Sequence, residues 1–372
     1  MSIVKREGDR GSRNPSDEPK RHIFRALSFY DFHGKGDIMS SDFAAKGVRN
    51  NMKFGIMGPG RIAHSFSGAV KEIPGSEIVA VASRSSIEKA EAFAGEEKIG
   101  IAYGSYEELL ANDDIDTIYI ATTHNFHYEN ILMCLNAGKH VLCEKPMVLT
   151  EKEAIAAFDL AKEKGLFLME AMWSRFLPKS LKIREWVKEG RIGDVKLAQG
   201  TIGFVAPVDY NDRFYNPKLA GGVLYDMGIY LIDLLPYFAN QEIVDVTAVP
   251  ALADNGVDIQ MNITMKLENA IASGQATVQA VVPEDAYIYG SKGYIRVPKI
   301  HWGHEAILYD SDQNEVERFS EPDPFGFVYE VREVISCVEQ GKLESDIAGR
   351  EMTLMNCRIF EKMMKSWEEL KK

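Results

Sequence analysis

Lys145 is the residue with most chemistry to offer. It stands in Glu144-Lys145-Pro146-Met147, directly after the apolar stretch 140–143 and downstream of a glycine-rich turn. In a dinucleotide-binding fold, a lysine just past a strand end sits at the carboxyl edge of the sheet, where ligands bind. Pro146 fixes its own φ and biases Lys145 toward extended backbone, which aims the amine. A Lys-Pro pair by itself also describes an ordinary surface turn. The second reactive group lies in Gly221-Gly222-Val223-Leu224-Tyr225-Asp226-Met227-Gly228-Ile229-Tyr230-Leu231-Ile232-Asp233. On a helix, Asp226, Tyr230 and Asp233 fall at i, i+4 and i+7, on one face. An acid and a phenol within an apolar helix are costly to bury without partners. The plainer alternative is a core tyrosine with exposed or capping aspartates.

These groups act together only if the chain brings them to one sheet edge. Lys53–Met57 reads as a buried strand, followed by Gly58-Pro59-Gly60-Arg61-Ile62-Ala63 and the helical spacing Ile62, Phe66, Val70, Ile73. In this GxGxxA turn Gly58 permits the tight turn and Gly60 lets a pyrophosphate approach the backbone. Arg61 and Ile62 open the helix and are, with the two glycines, candidates for holding the cofactor, and Ala63 keeps the helix close to the strand. The motif is weak alone, and the flanking strand and helix supply its confirming context. The next strand, Glu77–Ala82, ends in Ser83-Arg84-Ser85. An acid there would bond the ribose 2′-hydroxyl of NAD, whereas a hydroxyl and a cation suit a 2′-phosphate. NADP is therefore the expected cofactor, with NAD the alternative. Arg84 is equally readable as an exposed loop arginine.

Strands at 116–121, 140–143 and 167–169 alternate with helices at 106–110, 127–137 and 151–164, the last opened by the capping box Thr150-Glu151-Lys152-Glu153. This alternation implies an α/β, doubly wound parallel sheet over residues 52–172. The loop after the strand at 116–121 leaves at the same edge as Lys145. Its Thr122, His124, Asn125 and His127 are candidates for holding the nicotinamide ribose or carboxamide. His124 is as readily a helix-capping surface residue. From residue 173 the pattern changes. A helix at 183–188 is followed by strands at 195–205, 257–267, 272–281 and 306–309, then helices at 327–339 and 349–370. This reads as an α+β domain with an open, mostly antiparallel sheet, whose last helices can pack back on the first domain.

Composition narrows the partners. The 372 residues are 45% hydrophobic and 26% charged, with net charge −12, which argues against nucleic acid or anionic membrane. Cys134, Cys143, Cys337 and Cys357 form no CxxC or Cys/His cluster, as expected of reduced thiols in the cytoplasm with no metal site. No apolar run is read as a membrane span. Residues 1–51 carry 10 Lys and Arg against 7 Asp and Glu, a net +3 that leaves −15 for the remainder. They read as a mostly disordered extension to a folded protein that begins near Met52, with a short element around 23–32 or a partner-wrapping arm as alternatives.

GPGRIA at 58–63, EKPM at 144–147 and GGVLYDMGIYLID at 221–233 resemble, in order and spacing, the motifs of the glucose–fructose oxidoreductase / inositol dehydrogenase / rhizopine catabolism (Gfo/Idh/MocA) family. The resemblance covers 52–372. Many members carry His where this chain has Tyr230. With EAMWSRFLP at 170–178, the tyrosine is similar to the branch of dimeric dihydrodiol dehydrogenases and NADP-dependent D-xylose dehydrogenases. The resemblance implies that Lys145 and Tyr230 are catalytic, that Pro146 is cis and that the protein is a homodimer or dimer of dimers. A phenol is a poor base at neutral pH, and a nearby ammonium stabilises the phenolate. Lys145 is thus expected to lower the Tyr230 pKa and bond the substrate oxygen, with Tyr230 exchanging the proton. Asp226 would orient Lys145 or a sugar hydroxyl, and Glu144 would contact the cofactor ribose. Trp173 and Arg175 are further cofactor candidates. Trp173, Phe204, Trp302, Phe325 and Phe327 are candidates for the pocket wall, each also readable as core. The expected activity is hydride transfer between NADP and a carbinol of an aldose, polyol or vicinal diol. An NADPH-dependent keto- or anhydro-sugar reductase is the alternative, and a non-catalytic cofactor sensor belongs to a different class.

Overall fold

The computed structural model describes residues 51–320 and 326–370. The extension and the candidate Phe325 lie outside the described residues. The first half runs β1 (Lys53–Met57), α1 (Arg61–Lys71), β2 (Glu77–Ala82), α2 (Ile87–Glu97), β3 (Ile101–Tyr103), α3 (Tyr106–Leu110), β4 (Thr117–Ile120), α4 (His127–Asn136), β5 (His140–Glu144), α5 (Glu151–Lys164) and β6 (Leu168–Ala171). Its strands form one parallel sheet in the order β3-β2-β1-β4-β5-β6. The order reverses between β1 and β4, which opens a crevice at their carboxyl ends. β4 is buried along its whole length and β5 over four of its five residues, because helices cover both faces. α2 and β3 were not foreseen. α5 carries the expected capping box, with Thr150 accepting from Glu153 N–H and Glu153 accepting from Thr150 N–H.

The second half adds α6 (Pro178–Lys188), β7 (Val195–Gly203), α7 (Ile229–Ala239), β8 (Ile243–Leu252), β9 (Asp258–Leu267), β10 (Ile271–Thr277), β11 (Ala286–Gly290), β12 (Gly293–Val297), β13 (Glu305–Asp310), β14 (Glu315–Ser320), α8 (Phe327–Glu339) and α9 (Arg350–Leu370). Eight strands pair in the order β14-β13-β12-β11-β7-β10-β9-β8. All pairs are antiparallel except β7 with β10. α8 packs on α1 and α9 on α5.

α7 is buried almost all round beneath this sheet. A β-carbon on Gly200 of β7 or Gly274 of β10 would lie 3.1 Å from Leu231. Their bare backbones let α7 approach closely, which fixes the height of Tyr230. By length and mean hydropathy (1.3) the stretch Pro217–Ala239 would pass for a membrane span, contrary to the sequence reading, yet 72% of that window is buried inside the protein. It is the core helix of the second half.

Candidate active site

The glycine turn leaves β1 at the crevice. Gly58 has φ +102°, and a β-carbon there would sit 3.1 Å from the Ala121 carbonyl carbon and oxygen, so only glycine fits. Gly60 caps α1 without a side-chain hydrogen bond, and no acid occupies the first turn. The free N–H groups of that turn and the positive helix end suit a pyrophosphate. Beyond β2, Ser83 is buried and its hydroxyl lies 3.2 Å from that of Ser85. The Arg84 guanidinium lies 4.7 Å over the Phe126 ring and donates to Glu129 Oε1 at 3.1 Å. Both partners of that ion pair are about half exposed, so it is weak and leaves Arg84 free to exchange partners.

In the next loop the candidates divide. Thr122 and Asn125 have hydroxyl and amide groups near the edge, the former accepting from Asn130 Nδ2 at 3.1 Å. His124 Nδ1 lies 3.4 Å from the Ala220 carbonyl, and burial beside His127 and Lys145 holds its pKa at about 3. His127, expected at the cofactor, is fully buried instead. Its ring nitrogens lie 2.9 Å from the Pro146 carbonyl and 3.0 Å from that of Thr122. It ties two edge loops together and has no nitrogen left for a ligand.

Lys145 follows β5 with a cis bond to Pro146, as the resemblance implies. Its Nζ donates to the Asp226 carbonyl at 2.6 Å and lies 3.7 Å from the Asp226 carboxylate. It also stands 4.6 Å from the centre of the Tyr230 ring. Asp226 belongs to a π turn, Leu224–Gly228, that precedes α7, and such turns disturb the main-chain ladder near functional groups. Arg213, unnoticed in the sequence, donates to Asp226 Oδ1 at 2.6 Å. Burial raises the Asp226 pKa, but Lys145 and Arg213 outweigh it and hold the carboxylate far below its usual range.

The Tyr230 oxygen accepts from Trp173 Nε1 at 3.1 Å, and Trp173 stacks on Phe327 at 4.8 Å. The His301 ring lies against the Tyr230 ring at 4.6 Å. Burial, then Glu144, pushes the Tyr230 phenol well above its ordinary value. This corrects the expectation of a depressed pKa. The Lys145 ammonium stands over the ring, and its charge is already answered by Asp226. Tyr230 therefore rests as a neutral phenol.

Two other expectations change. Glu144, assigned to the cofactor ribose, is buried, and both of its oxygens are engaged within the protein. Tyr119 Oη donates to one at 2.6 Å and Lys145 N–H to the other at 3.2 Å. It fixes the backbone that carries Lys145. Arg175, assigned to the cofactor, forks onto both Asp233 oxygens at 2.8 Å, donates to the Ile347 carbonyl at 2.8 Å and covers Tyr237. The expected single stripe is thus split: Asp226 serves Lys145, and Asp233 serves Arg175.

Phe204 is more than a third exposed and meets Phe214 edge-on at 5.5 Å, beside Arg213. Trp302 donates to Glu284 at 2.6 Å, next in sequence to His301. Glu330 of α8 was also missed. It is fully buried with both carboxyl oxygens unpaired, and burial, with Glu144, pushes its pKa well up. A cleft of about 810 Å³ lined by Arg175, Arg184 and Tyr237, among others, contains none of Lys145, Asp226 or Tyr230, so it is separate from these groups.

Residues 52–172 match the oxidoreductase family model with NAD-binding Rossmann fold, and 180–296 match the GFO/IDH/MocA C-terminal domain. The chain is 36% identical over 307 residues to trans-1,2-dihydrobenzene-1,2-diol dehydrogenase of Danio rerio, covering 79% of this chain and 90% of that one. The Mus musculus enzyme of that name is 33% identical, with 85% and 96% covered. Among solved structures, aldose-aldose oxidoreductase of Caulobacter crescentus superposes with TM-score 0.77 at 25% identity, covering 86% of this chain and 98% of that one. The 3-ketoreductase KijD10 of Actinomadura kijaniata, solved with NADP and TDP-benzene, gives 0.76 at 25% identity, with 85% and 98% covered. A glycine turn at the crevice, a lysine after β5, a tyrosine on the core helix and two matching domain models lead to one conclusion: the chain belongs to the Gfo/Idh/MocA family of oxidoreductases.

Proposed function

We propose that this protein interconverts a carbinol and a carbonyl in an aldose, polyol or vicinal diol, using NADP, with Lys145 and Tyr230 as its catalytic pair. The reading is carried by one observation. The Lys145 amine, at the carboxyl edge of a dinucleotide-type sheet, stands 4.6 Å from the centre of the Tyr230 ring, which comes from the other half of the chain. Relatives named as diol dehydrogenases and aldose oxidoreductases support the substrate class. When bound, NADP supplies the hydride acceptor. The turn after Gly58 would hold its pyrophosphate, and Ser83 with Arg84 its 2′-phosphate.

The remaining work belongs to the chain. Lys145 bonds the substrate oxygen, and Asp226 holds Lys145 in place through a 2.6 Å contact to its carbonyl. Tyr230 Oη exchanges the hydroxyl proton, as acid toward a carbonyl and as base toward a carbinol. Trp173 orients that oxygen from one side by its indole N–H. The near-complete burial of Tyr230 and Asp226 limits water at the reacting carbon. A second reading, reduction of a keto- or anhydro-sugar by NADPH, is favoured by the neutral resting phenol, which is ready to donate. That the chain carries Lys145 and Tyr230 side by side supports turnover over a cofactor sensor. The test is incubation with NADP or NADPH against aldoses, ketoses, polyols and diols, followed by the absorbance of reduced nicotinamide. No turnover with any of them would refute the reading.

The same proposal extends to assembly and location. The outer face of the eight-stranded sheet carries a cross-strand row Lys266–Ile271–Leu197–Tyr289–Tyr294–Tyr309. Tyr294 stacks on Tyr309 at 4.6 Å, and Ile271 is half exposed. β9 itself presents the exposed, polar Gln260, Asn262, Thr264 and Lys266 there. The neighbouring strands add an aromatic stripe suited to self-pairing across a two-fold axis, as a homodimer. The four cysteines are free and buried, which supports a cytoplasmic location.

A further inference from the structure

The connection between β12 and β13 is built more rigidly than holding Lys145 and Tyr230 requires. Lys299 adopts φ +51°, a left-handed conformation that costs a residue with a β-carbon and persists only where its surroundings impose it. Three successive carbonyls are tied down. Lys179, almost wholly buried, donates from Nζ to the Lys299 and Ile300 carbonyls at 2.9 Å each, and Ser174 Oγ donates to the His301 carbonyl at 2.7 Å. Burying a lysine to hold backbone is expensive, and here it serves one loop. What the loop delivers is the His301 ring, 4.6 Å from Tyr230 with 27° between the planes. Its Nδ1 is buried without a hydrogen bond, and Nε2 is left as the open ring atom.

We propose that His301 is the specificity-determining residue of this site, its imidazole hydrogen-bonding a second hydroxyl on the carbon next to the reacting carbinol. The site then takes vicinal diol units, whether in a sugar or a simpler diol, and discriminates against lone secondary alcohols. This rests on the carbinol-oxidising function proposed above. Burial, with Lys179 and Lys145 nearby, holds the imidazole at about 3. It is therefore uncharged in use, and its open Nε2 can donate to or accept from one hydroxyl according to the tautomer.

The test compares two substrate pairs, trans-cyclohexane-1,2-diol with cyclohexanol and D-glucose with 2-deoxy-D-glucose, in wild type, His301→Phe and His301→Gln. Phe keeps the ring against Tyr230 and removes both nitrogens. Gln keeps a donor and an acceptor. The expected result is a wild-type kcat/KM preference for the vicinal diol of about tenfold, the worth of one neutral hydrogen bond. The preference should be lost in His301→Phe and largely kept in His301→Gln, with NADPH affinity unchanged in both. A preference that persists in His301→Phe overturns the assignment alone. Loss of NADPH binding in both variants makes His301 a packing residue and overturns it too. Failure of the wild type to oxidise any of the four overturns the activity on which it rests.

Discussion

Replacing Tyr230 by Phe separates catalysis from stability. The change removes one oxygen, which among the described residues has a single hydrogen-bond partner, Trp173 Nε1 at 3.1 Å. Leaving an N–H without its acceptor costs about 1–3 kcal/mol. Trp173 is only partly buried, so water can reach it and the lower end applies. A domain stable by about 5–15 kcal/mol survives that. The ring keeps its His301 and Lys145 neighbours. Loss of the general acid, in contrast, costs about 10²–10⁴ in rate, roughly 3–5 kcal/mol of barrier. Tyr230→Phe should therefore melt close to wild type, bind NADPH normally and turn over at least a hundredfold more slowly. Thermal unfolding, NADPH fluorescence titration and single-turnover reduction read these separately. The phenol also sets a pH dependence. Its raised pKa keeps the acid form populated throughout neutral pH, so reduction should stay flat there and fall only as strong alkali removes the proton. Oxidation, which needs the base form, should rise with pH over the same range. Near-normal turnover in Tyr230→Phe would refute this reasoning and move the proton to water.

Arg84→Ala should weaken NADP by roughly 10–150-fold, the range for a charge-assisted hydrogen bond, and leave NAD almost unchanged; equal losses in a titration with both would exclude a 2′-phosphate role. Glu170, buried and accepting from Met147 N–H and Thr353 Oγ1, has its carboxyl raised by burial from 4.5 to about 7. Its stabilising contribution is full below pH 4.5 and lost as pH rises through 7. Glu170→Gln should therefore raise Tm relative to wild type at pH 8 and not at pH 4, and parallel Tm–pH curves would contradict this. A charged substitution in the aromatic row, Tyr294→Lys, should yield the 41.7 kDa monomer by light scattering if the sheet face is the dimer contact; a wild type already at that mass removes the dimer proposal.

Much of this protein is local. β1, the glycine turn and α1 are readable because a buried strand, a tight turn and a helix each follow from a few adjacent residues. The capping box at Thr150 and the helix α8 at Phe327–Glu339 are readable for the same reason. Lys145 could be placed because its position depends only on the end of β5, and Tyr230 because it lies in a stretch, 221–233, that resembles a family motif. β3, three residues long, is too short to show a pattern, whereas α2 carries Ser86 as N-cap and Ala90, Phe93 and Ala94 at helical spacing and was legible but overlooked.

What surrounds these residues was settled by packing alone. Arg213 reaches Asp226 across 13 residues, Trp173 reaches Tyr230 across 57, and Lys179 reaches Ile300 across 121. No local pattern encodes such pairs. The π turn at Leu224–Gly228 changes the helical phase on which the one-face argument relied. Arg175 and His127 look like free functional groups in the sequence, but buried groups take whatever partners the fold provides, here Asp233 and two loop carbonyls. The tyrosine row forms only when β11, β12 and β13 come into register. The sequence determined which residues can react and which strand ends carry them. The tertiary structure decided their neighbours, and hence their charge state, because burial and long-range hydrogen bonds set pKa and orientation.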